Sequence, residues 1–237
     1  MDCRIGTAGW TIPAGARDRF PEGGTSLQRY AAQFDCAEIN SSFHRPHRPA
    51  TYQRWADSVP DDFRFAVKMP KLITHERRLL DCEGEVAAFA AQCGSLGAKL
   101  AVVLVQLPPS LAFDTGFASF FAAAQARLGG AIACEPRHAS WFEPEGDRWL
   151  ADRRIARVAA DPARHPGAEI PGGWDGLRYY RLHGSPVIYR SSYDHAALEP
   201  IADALRTDPA PGWCIFDNTA SSAATGDALM LRTMLGL

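Results

Sequence analysis

Short runs of β-branched and aromatic residues alternate along this chain with longer stretches in which apolar positions recur every three or four residues. This alternation is typical of βαβ units built around a parallel sheet. Eight runs predict strands: Cys3 to Gly9, Ala37 to Ser41, Phe63 to Met69, Leu100 to Leu107, Ala131 to Arg137, Ile155 to Asp161, Leu177 to His183 and Trp213 to Asn218.

The stretches between these runs predict helices, because their apolar positions fall on one helical face. The clearest are Ser26 to Phe34, Ala50 to Ser58, Glu85 to Leu96, Phe117 to Leu128, Leu198 to Arg206 and, after the last run, Ala224 to Leu235. The Pro- and Gly-rich piece from Asp161 to Gly176 is the one long irregular connection, and it predicts a mobile loop rather than a domain boundary.

Eight strand–helix units in 237 residues predict a single domain over residues 1–237, a parallel eight-stranded (β/α)8 TIM barrel. A doubly wound open sheet gives the same alternation. The barrel is favoured because no Gly-x-Gly-x-x-Gly turn follows the first strand, which also leaves the chain without a nucleotide-cofactor motif.

Charge and composition exclude several classes of protein. The formal net charge of −2, from 25 basic and 27 acidic residues, provides no basic field for nucleic acid. No apolar run is long enough to span a membrane, and the polar start does not resemble a secretory signal, so we expect a cytoplasmic protein. The six cysteines form no Cys-x-x-Cys pair and are interpreted as reduced and structural. The sequence specifies no oligomeric state.

Nearly every predicted strand begins apolar and ends polar. Because the carboxyl ends of parallel barrel strands meet at one mouth, we expect these polar side chains to converge there. Alternation along a strand places Glu38 with Asn40, Glu135 with Arg137, and Arg181 with His183. Burying unpaired ions is costly, so these residues either bind a ligand or form a structural ring of salt bridges that caps the core.

The candidate residues divide into two groups by chemistry. The catalytic candidates are Glu38, Lys68, Glu135 and His183. The substrate-binding candidates are Trp10, Asn40, Gln106, Arg137, His138, Trp141, Arg181, Asp217, Asn218 and Thr219. The two tryptophans follow strands and could stack on a ligand or plug the loops. The small residues after Asp217 could bind phosphate at a helix start, or Thr219, Ser221 or Ser222 could cap that helix.

A divalent metal is the open question among cofactors. Glu38, Glu135, Asp161, Asp217 and His183 are ligand types of metal-dependent isomerases and phosphoesterases, but they lack tight ligand spacing. No metal ligand is therefore assigned.

Eight short blocks stand at or near the predicted strand ends: residues 5–10 (IGTAGW), 38–43 (EINSSF), 65–70 (FAVKMP), 73–75 (ITH), 106–110 (QLPPS), 135–142 (EPRHASWF), 180–184 (YRLHG) and 216–219 (FDNT). In order and spacing these blocks resemble the YecE-like family, a domain of unknown function (DUF72). The resemblance implies a TIM barrel with a polar pocket at the strand ends and brings no established activity. Ile12, Arg19, His44, Ser222 and Asp227 depart from the family pattern, all in loops.

Three functions follow from this pattern. The first is an enzyme acting on a small polar, anionic, sugar-like substrate. The second is a divalent-metal phosphoesterase or isomerase, and the third is a non-catalytic metabolite sensor. Each has a small-molecule ligand as its partner, and none involves a membrane or nucleic acid.

Overall fold

The computed structural model describes residues 2–237 and has an α/β architecture with two mainly parallel sheets. The first sheet has the order β1-β10-β9-β7: β1 (Cys3–Thr7), β10 (Gly212–Phe216), β9 (Arg178–Leu182) and β7 (Ala159–Asp161). The second has the order β2-β3-β4-β5-β6-β8: β2 (Cys36–Ile39), β3 (Arg64–Lys68), β4 (Leu100–Gln106), β5 (Ala131–Glu135), β6 (Ile155–Arg157) and β8 (Gly172–Gly173).

Seven α-helices connect and cover these strands. They are α1 (Ser26–Ala31), α2 (Pro49–Asp57), α3 (Glu83–Cys93), α4 (Ala118–Arg127), α5 (Pro144–Asp152), α6 (His195–Thr207) and α7 (Ala224–Leu235). The bounds of α7 agree with the prediction, whereas α5 was not among the predicted helices. Its sequence signal is Pro144, which stands in the first helical turn, where a missing N–H costs nothing.

The prediction of one closed eight-stranded sheet is not confirmed, because the ten strands form two separate ladders. The predicted sixth strand is divided at Val158: Ile155–Arg157 pairs with β5, and Ala159–Asp161 pairs with β9. At the other junction a single bridge joins Ala8 to Glu38, where the Gly9 N–H donates to the Glu38 carbonyl oxygen at 2.8 Å. The two sheets therefore meet at two narrow junctions, and at Val158 one continuous segment joins them.

The connection from 161 to 176, predicted to be a mobile loop, is tied to the sheets by side-chain and backbone hydrogen bonds. The Arg157 guanidinium donates to the Gly167 carbonyl oxygen at 2.9 Å, and the Ala160 N–H donates to that of Ala168 at 2.8 Å. Gly172 and Gly173 add the two-residue β8 antiparallel to β6. The segment thus packs along the strand ends beside β6 and β7.

Two apolar cores flank the strands. The larger one lies between the strands and the helices. The smaller one is enclosed by the strands and contains Cys36, Ala66, Leu104, Ala133, Tyr179 and Ile215. Each of these residues is followed two positions later by a buried polar residue: Glu38, Lys68, Gln106, Glu135, Arg181 and Asp217. Because side chains alternate along a strand, the inner face that is apolar at mid-strand becomes polar at the carboxyl ends.

Gly6 is required where β1 approaches β2. A Cβ atom at this position would overlap the backbone carbonyl oxygen of Cys36, whereas one at the exposed Gly226 in the first turn of α7 would meet nothing within 4 Å.

We therefore expect opposite effects from two Gly→Ala substitutions. Gly6→Ala should lower the free energy of unfolding by about 1–3 kcal/mol because it overpacks the junction between the sheets. Gly226→Ala should raise it by up to about 1 kcal/mol, because alanine restricts the unfolded chain and favours the helix. Urea denaturation of both variants and the wild type measures this, and a neutral Gly6→Ala would contradict the close approach.

Candidate functional site

A guanidinium buried at the end of β9 binds three carboxylates that come from three other strand ends. Arg181 is fully buried and forms a two-pronged ion pair with Glu38, with Nη2 2.6 Å from Oε1 and Nε 2.9 Å from Oε2. Its Nη1 lies 3.0 Å from Oε2 of Glu135, and its Nη2 lies 3.1 Å from Oδ2 of Asp217. Residues that lie 36 to 143 positions from Arg181 along the chain are thus brought together at one centre.

His183 lies between two of the same carboxylates. Its Nε2 is 3.0 Å from Oε1 of Glu135, and its Nδ1 is 3.1 Å from Oδ2 of Asp217. Both ring nitrogens can donate to a carboxylate only when the imidazole is protonated, because the neutral ring has one N–H. Burial opposes protonation, but Glu135 and Asp217 outweigh it and raise the pKa of His183 above its usual value. The geometry therefore fits an imidazolium.

Three further side chains donate to these carboxylates. Arg137 donates from Nη2 to Oε1 of Glu135 at 2.9 Å, and Gln106 donates from Nε2 to both Glu135 oxygens at 3.0 and 2.9 Å. The Tyr179 hydroxyl donates to Oε2 of Glu38 at 3.1 Å. Tyr179 was not predicted, although it precedes Arg181 by two residues and so lies on the same strand face. We call Gln106, Arg137 and Tyr179, together with Glu38, Glu135, Arg181, His183 and Asp217, the mouth network.

The mouth network keeps its carboxylates ionised. Burial by itself would raise the pKa of Glu135, but Arg181, His183 and Arg137 hold it well below the usual range. The pKa of Asp217 is likewise lowered by Arg181 and His183 against the effect of burial. The negative charges of Glu135 and Asp217 are therefore retained in the interior, and each carboxylate has hydrogen-bond donors, which is the condition under which buried ions are tolerated.

Lys68 differs from the other cations at the mouth. It is 6% exposed, and within residues 2–237 its ammonium forms no hydrogen bond or ion pair; Nζ lies instead 4.1 Å from the centroid of the Phe43 ring. Burial, followed by repulsion from Arg181, lowers the pKa of Lys68 to about 8, although Glu38, Glu135 and Asp217 act in the opposite direction. Lys68 thus loses its proton more readily than an ordinary lysine.

His75 lies on the same side of the site as Lys68. The His75 and Phe43 ring centroids are 5.1 Å apart, and burial, then Lys68, lowers the pKa of His75. His75 was not predicted as a site residue, because it does not stand beside other candidates in the sequence, as His138 and His183 do; it lies in the helical turn Leu72–Glu76. Phe43 was not predicted as a site residue either.

Two predicted ligand contacts lie outside the mouth network. Trp141 is fully buried in the larger core, where its indole N–H donates to the Leu111 carbonyl oxygen at 2.9 Å. His138 precedes a single helical turn, and its Nδ1 accepts the backbone N–H of Ser140 at 3.3 Å. Both side chains complete the packing and hydrogen bonding of their own loop, so neither is carried into the proposed function.

Trp10 is half-buried and packs edge-on against Trp55 and Phe65, with ring centroids 5.1 and 6.3 Å apart. This contact joins the loop after β1 to α2 and β3. The exposed part of the indole remains a predicted ligand contact.

The loop after β10 divides into a buried and an exposed part. Asn40 donates to Oδ1 of Asp217 at 3.4 Å, and Asn218 donates to the Ser191 carbonyl oxygen at 2.9 Å and to Oδ2 of Asp227 at 2.6 Å. Thr219 is exposed. Helix α7 begins at Ala224 with Ala223 as its N-cap and no side-chain cap, so capping by Thr219, Ser221 or Ser222 is wrong.

The residues of the metal hypothesis do not fit a metal ion. No group of three or more His, Cys, Asp or Glu side chains among residues 2–237 is arranged to hold one. The polar atoms of four candidates are occupied by Arg181 or by one another; these candidates are Glu38, Glu135, Asp217 and His183. Asp161 lies apart from them and accepts a hydrogen bond from the Tyr193 hydroxyl at 2.7 Å. We therefore derive no metal-dependent step.

The family model described as "Protein of unknown function DUF72" matches residues 4–237. The chain belongs to the DUF72 family. Among curated DUF72-type proteins, YecE of Escherichia coli is 34% identical over 104 residues, which is 44% of this chain and 37% of that protein. YunF of Bacillus subtilis is 29% identical over 125 residues, 50% of this chain and 44% of that protein. The matched regions therefore span less than half of these relatives.

Solved DUF72 structures share this fold over its whole length. A DUF72 protein from Thermotoga maritima has a TM-score of 0.82 and 23% identity, and the match covers 100% of both chains. One from Enterococcus faecalis has a TM-score of 0.81 and 19% identity, covering 99% of this chain and 96% of that one. The family assignment made from the strand-end blocks is thus confirmed, and it brings no known reaction with it.

The mouth network predicts a large cost for Glu135→Gln. We expect the free energy of unfolding to fall by about 3–5 kcal/mol, because Arg181, Arg137 and His183 lose a counter-charge in the interior. Glu76→Gln is the matched control: its carboxylate pairs with Lys71 at 3.3 Å on the surface and should contribute less than about 1 kcal/mol. Chemical denaturation at pH 7 compares the two, and equal losses would refute the network as a stabilising unit.

Proposed function

We propose that this protein is an enzyme acting on a small polar substrate, sugar-like and carrying a phosphate or carboxylate group, in the cytoplasm. In this proposal the two sheets together form the wall of one (β/α)8 barrel, and the substrate binds where the carboxyl ends of the strands meet. The proposal rests on the surroundings of Lys68. Within residues 2–237 its ammonium has no hydrogen bond or ion pair, although it stands beside a network whose other charges are paired.

Arg137 is suited to hold the anionic group of the substrate. It forms one ion pair, with Glu135, and its side chain is 16% exposed, unlike the enclosed Arg181. It lines a narrow cavity together with His183, Arg164 and Ile188. A guanidinium that keeps donors facing a cavity recognises phosphate or carboxylate by paired hydrogen bonds.

The other site residues have different roles in this proposal. The sequence predicts Glu38, Glu135 and His183 as catalytic residues. In this proposal their charges are held in ion pairs, and these residues position Arg181 and Arg137. Asn40 borders the same carboxylates and can orient a substrate hydroxyl. Lys68 has a pKa of about 8, so at neutral pH it can exchange a proton, as a general acid–base group must.

Exposed apolar residues border the cavity that Arg137 lines. Val187, Ile188 and Tyr189 are 53%, 37% and 42% exposed, and they follow Gly184, which has a φ of +94°. The Tyr189 ring centroid lies 5.9 Å from that of His183. In this proposal, outward movement of this segment admits the substrate, and its return excludes water from the network.

Ligand-induced thermal shifts test where the substrate binds. We expect some members of a panel of sugar phosphates and hydroxy acids to stabilise the protein, by about 2.7 kcal/mol at a hundred times the Kd. Arg137→Gln should remove most of this shift, because the anionic group loses its partner. Arg54→Gln in α2, which changes an exposed arginine outside the mouth network, should retain it.

Turnover then separates an enzyme from a sensor. Each stabilising compound is incubated with the wild type and followed by NMR for conversion, which must disappear in Arg137→Gln and persist in Arg54→Gln. Shifts without conversion would leave a metabolite sensor. No shift across the panel, or shifts unaffected by Arg137→Gln, would refute the proposal and leave a structural ring of salt bridges.

A further inference from the structure

Lys68 occupies an uncommon position for a lysine. It is the last residue of β3, and its side chain lies on the inner face of the strands, like that of Ala66. Only 6% of the residue is exposed. Its Nζ faces the Phe43 ring at 4.1 Å. The Nζ atom is not among the fully enclosed polar atoms that lack a partner, so a small molecule can reach it from the mouth.

The charges around Lys68 balance without it. Arg181, Arg137 and the His183 imidazolium carry three positive charges, and Glu38, Glu135 and Asp217 carry three negative ones. A protonated Lys68 adds an uncompensated positive charge, and His75 on the neighbouring turn provides no anion to offset it. Loss of the Lys68 proton leaves the site electrically neutral, and the lowered pKa of Lys68 agrees with this count.

An amine with these properties is a nucleophile as well as a base. A lysine becomes nucleophilic at neutral pH when burial or a neighbouring cation lowers its pKa, and carbonyl compounds are the partners of such amines. Both conditions are met here, by burial first and Arg181 second.

We propose that Lys68 forms a Schiff base with the carbonyl carbon of a small aldehyde or ketone substrate that also carries an anionic group. This inference rests on the proposed function and names its substrate class and its covalent intermediate. The anionic group would bind near Arg137, while the carbonyl carbon reaches Nζ above the Phe43 ring.

The condensation needs no oxidant, reductant or cofactor. The Nζ lone pair forms a bond to the carbonyl carbon, the carbonyl oxygen takes up a proton, and Nζ loses one, which gives a carbinolamine. The hydroxyl group then leaves as water, with one proton from solvent, as the C=N bond forms. The product is a protonated imine at the position of the ammonium group, where the carboxylates Glu38, Glu135 and Asp217 favour a cation and burial opposes one.

The composition of the chain makes this proposal easy to test, because it contains three lysines. Lys71 is exposed and pairs with Glu76, while the ammonium of Lys99 donates to the carbonyl oxygens of Ala56 and Val59, both at 2.7 Å. Lys71 is thus the lysine that a non-selective reagent reaches first.

Pyridoxal phosphate, an anionic aldehyde, and dihydroxyacetone phosphate, an anionic ketone, serve as probes. Each is incubated with the full-length wild-type protein at pH 7 and trapped with borohydride, and the adduct is located by peptide mass mapping. We expect labelling of Lys68 at least about tenfold above Lys71, since one unit of pKa changes the neutral amine fraction tenfold. Labelling mainly at Lys71, Lys99 or the amino terminus, or no labelling, would overturn the proposal.

Two variants test whether the adduct depends on Lys68. Lys68→Arg keeps the positive charge and should lose the adduct, whereas Lys71→Arg should keep it. If Lys68→Arg does not fold, the mapped position in the wild type still decides. Glycerol phosphate, which has no carbonyl group, separates this inference from the proposed function: an Arg137-dependent thermal shift with glycerol phosphate, combined with no adduct at Lys68, would overturn the Schiff base alone.

Discussion

The buried Arg181 guanidinium, held by carboxylates from β2, β5 and β10, is the interaction on which the rest of the site depends. An isolated ion in the interior costs several kcal/mol, and removal of one partner from such a pair leaves the other uncompensated. Arginine suits this position because its planar fork binds Glu38 through Nε and Nη2 and Glu135 through Nη1, while Nη2 also lies close to Asp217. A lysine at the same place would satisfy one carboxylate at a time.

This arrangement also determines which groups remain available for chemistry. The Glu135 carboxylate is paired with both His183 and Arg181. Changing the protonation of Glu135 or His183 would therefore leave a buried charge without its partner. The network therefore acts as a fixed charge distribution rather than as a proton relay. Lys68 borders this distribution without an ion pair, and its protonation state can change without breaking one. The same electrostatics that stabilise the strand ends thus leave a single amine reactive.

Much of the site could be predicted from the sequence, because strand alternation is a strict geometric rule. Glu135 with Arg137, and Arg181 with His183, share a face and contact the same partners, as their spacing of two residues predicts. The same rule also places Tyr179 on this face, two residues before Arg181.

The division of one strand at Val158 was not predictable, because a change of pairing partner leaves the apolar pattern of the strand intact. Residues in loops have no such periodicity, and tertiary packing alone decides whether they face the core or the mouth. Examples are Phe43, His75, His138 and Trp141.

The protonation of His183 tests the central claim most directly, because two ionised carboxylates around one ring are what the network requires. NMR of isotope-labelled histidine, assigned with a His183→Gln variant, follows the ring through a pH titration. The account predicts that His183 stays an imidazolium above pH 6.5, the usual histidine pKa. Its contribution to stability should be fully present below that pH and be lost as the pH rises through the raised pKa. A His183 that titrates at or below pH 6.5 would contradict the buried network.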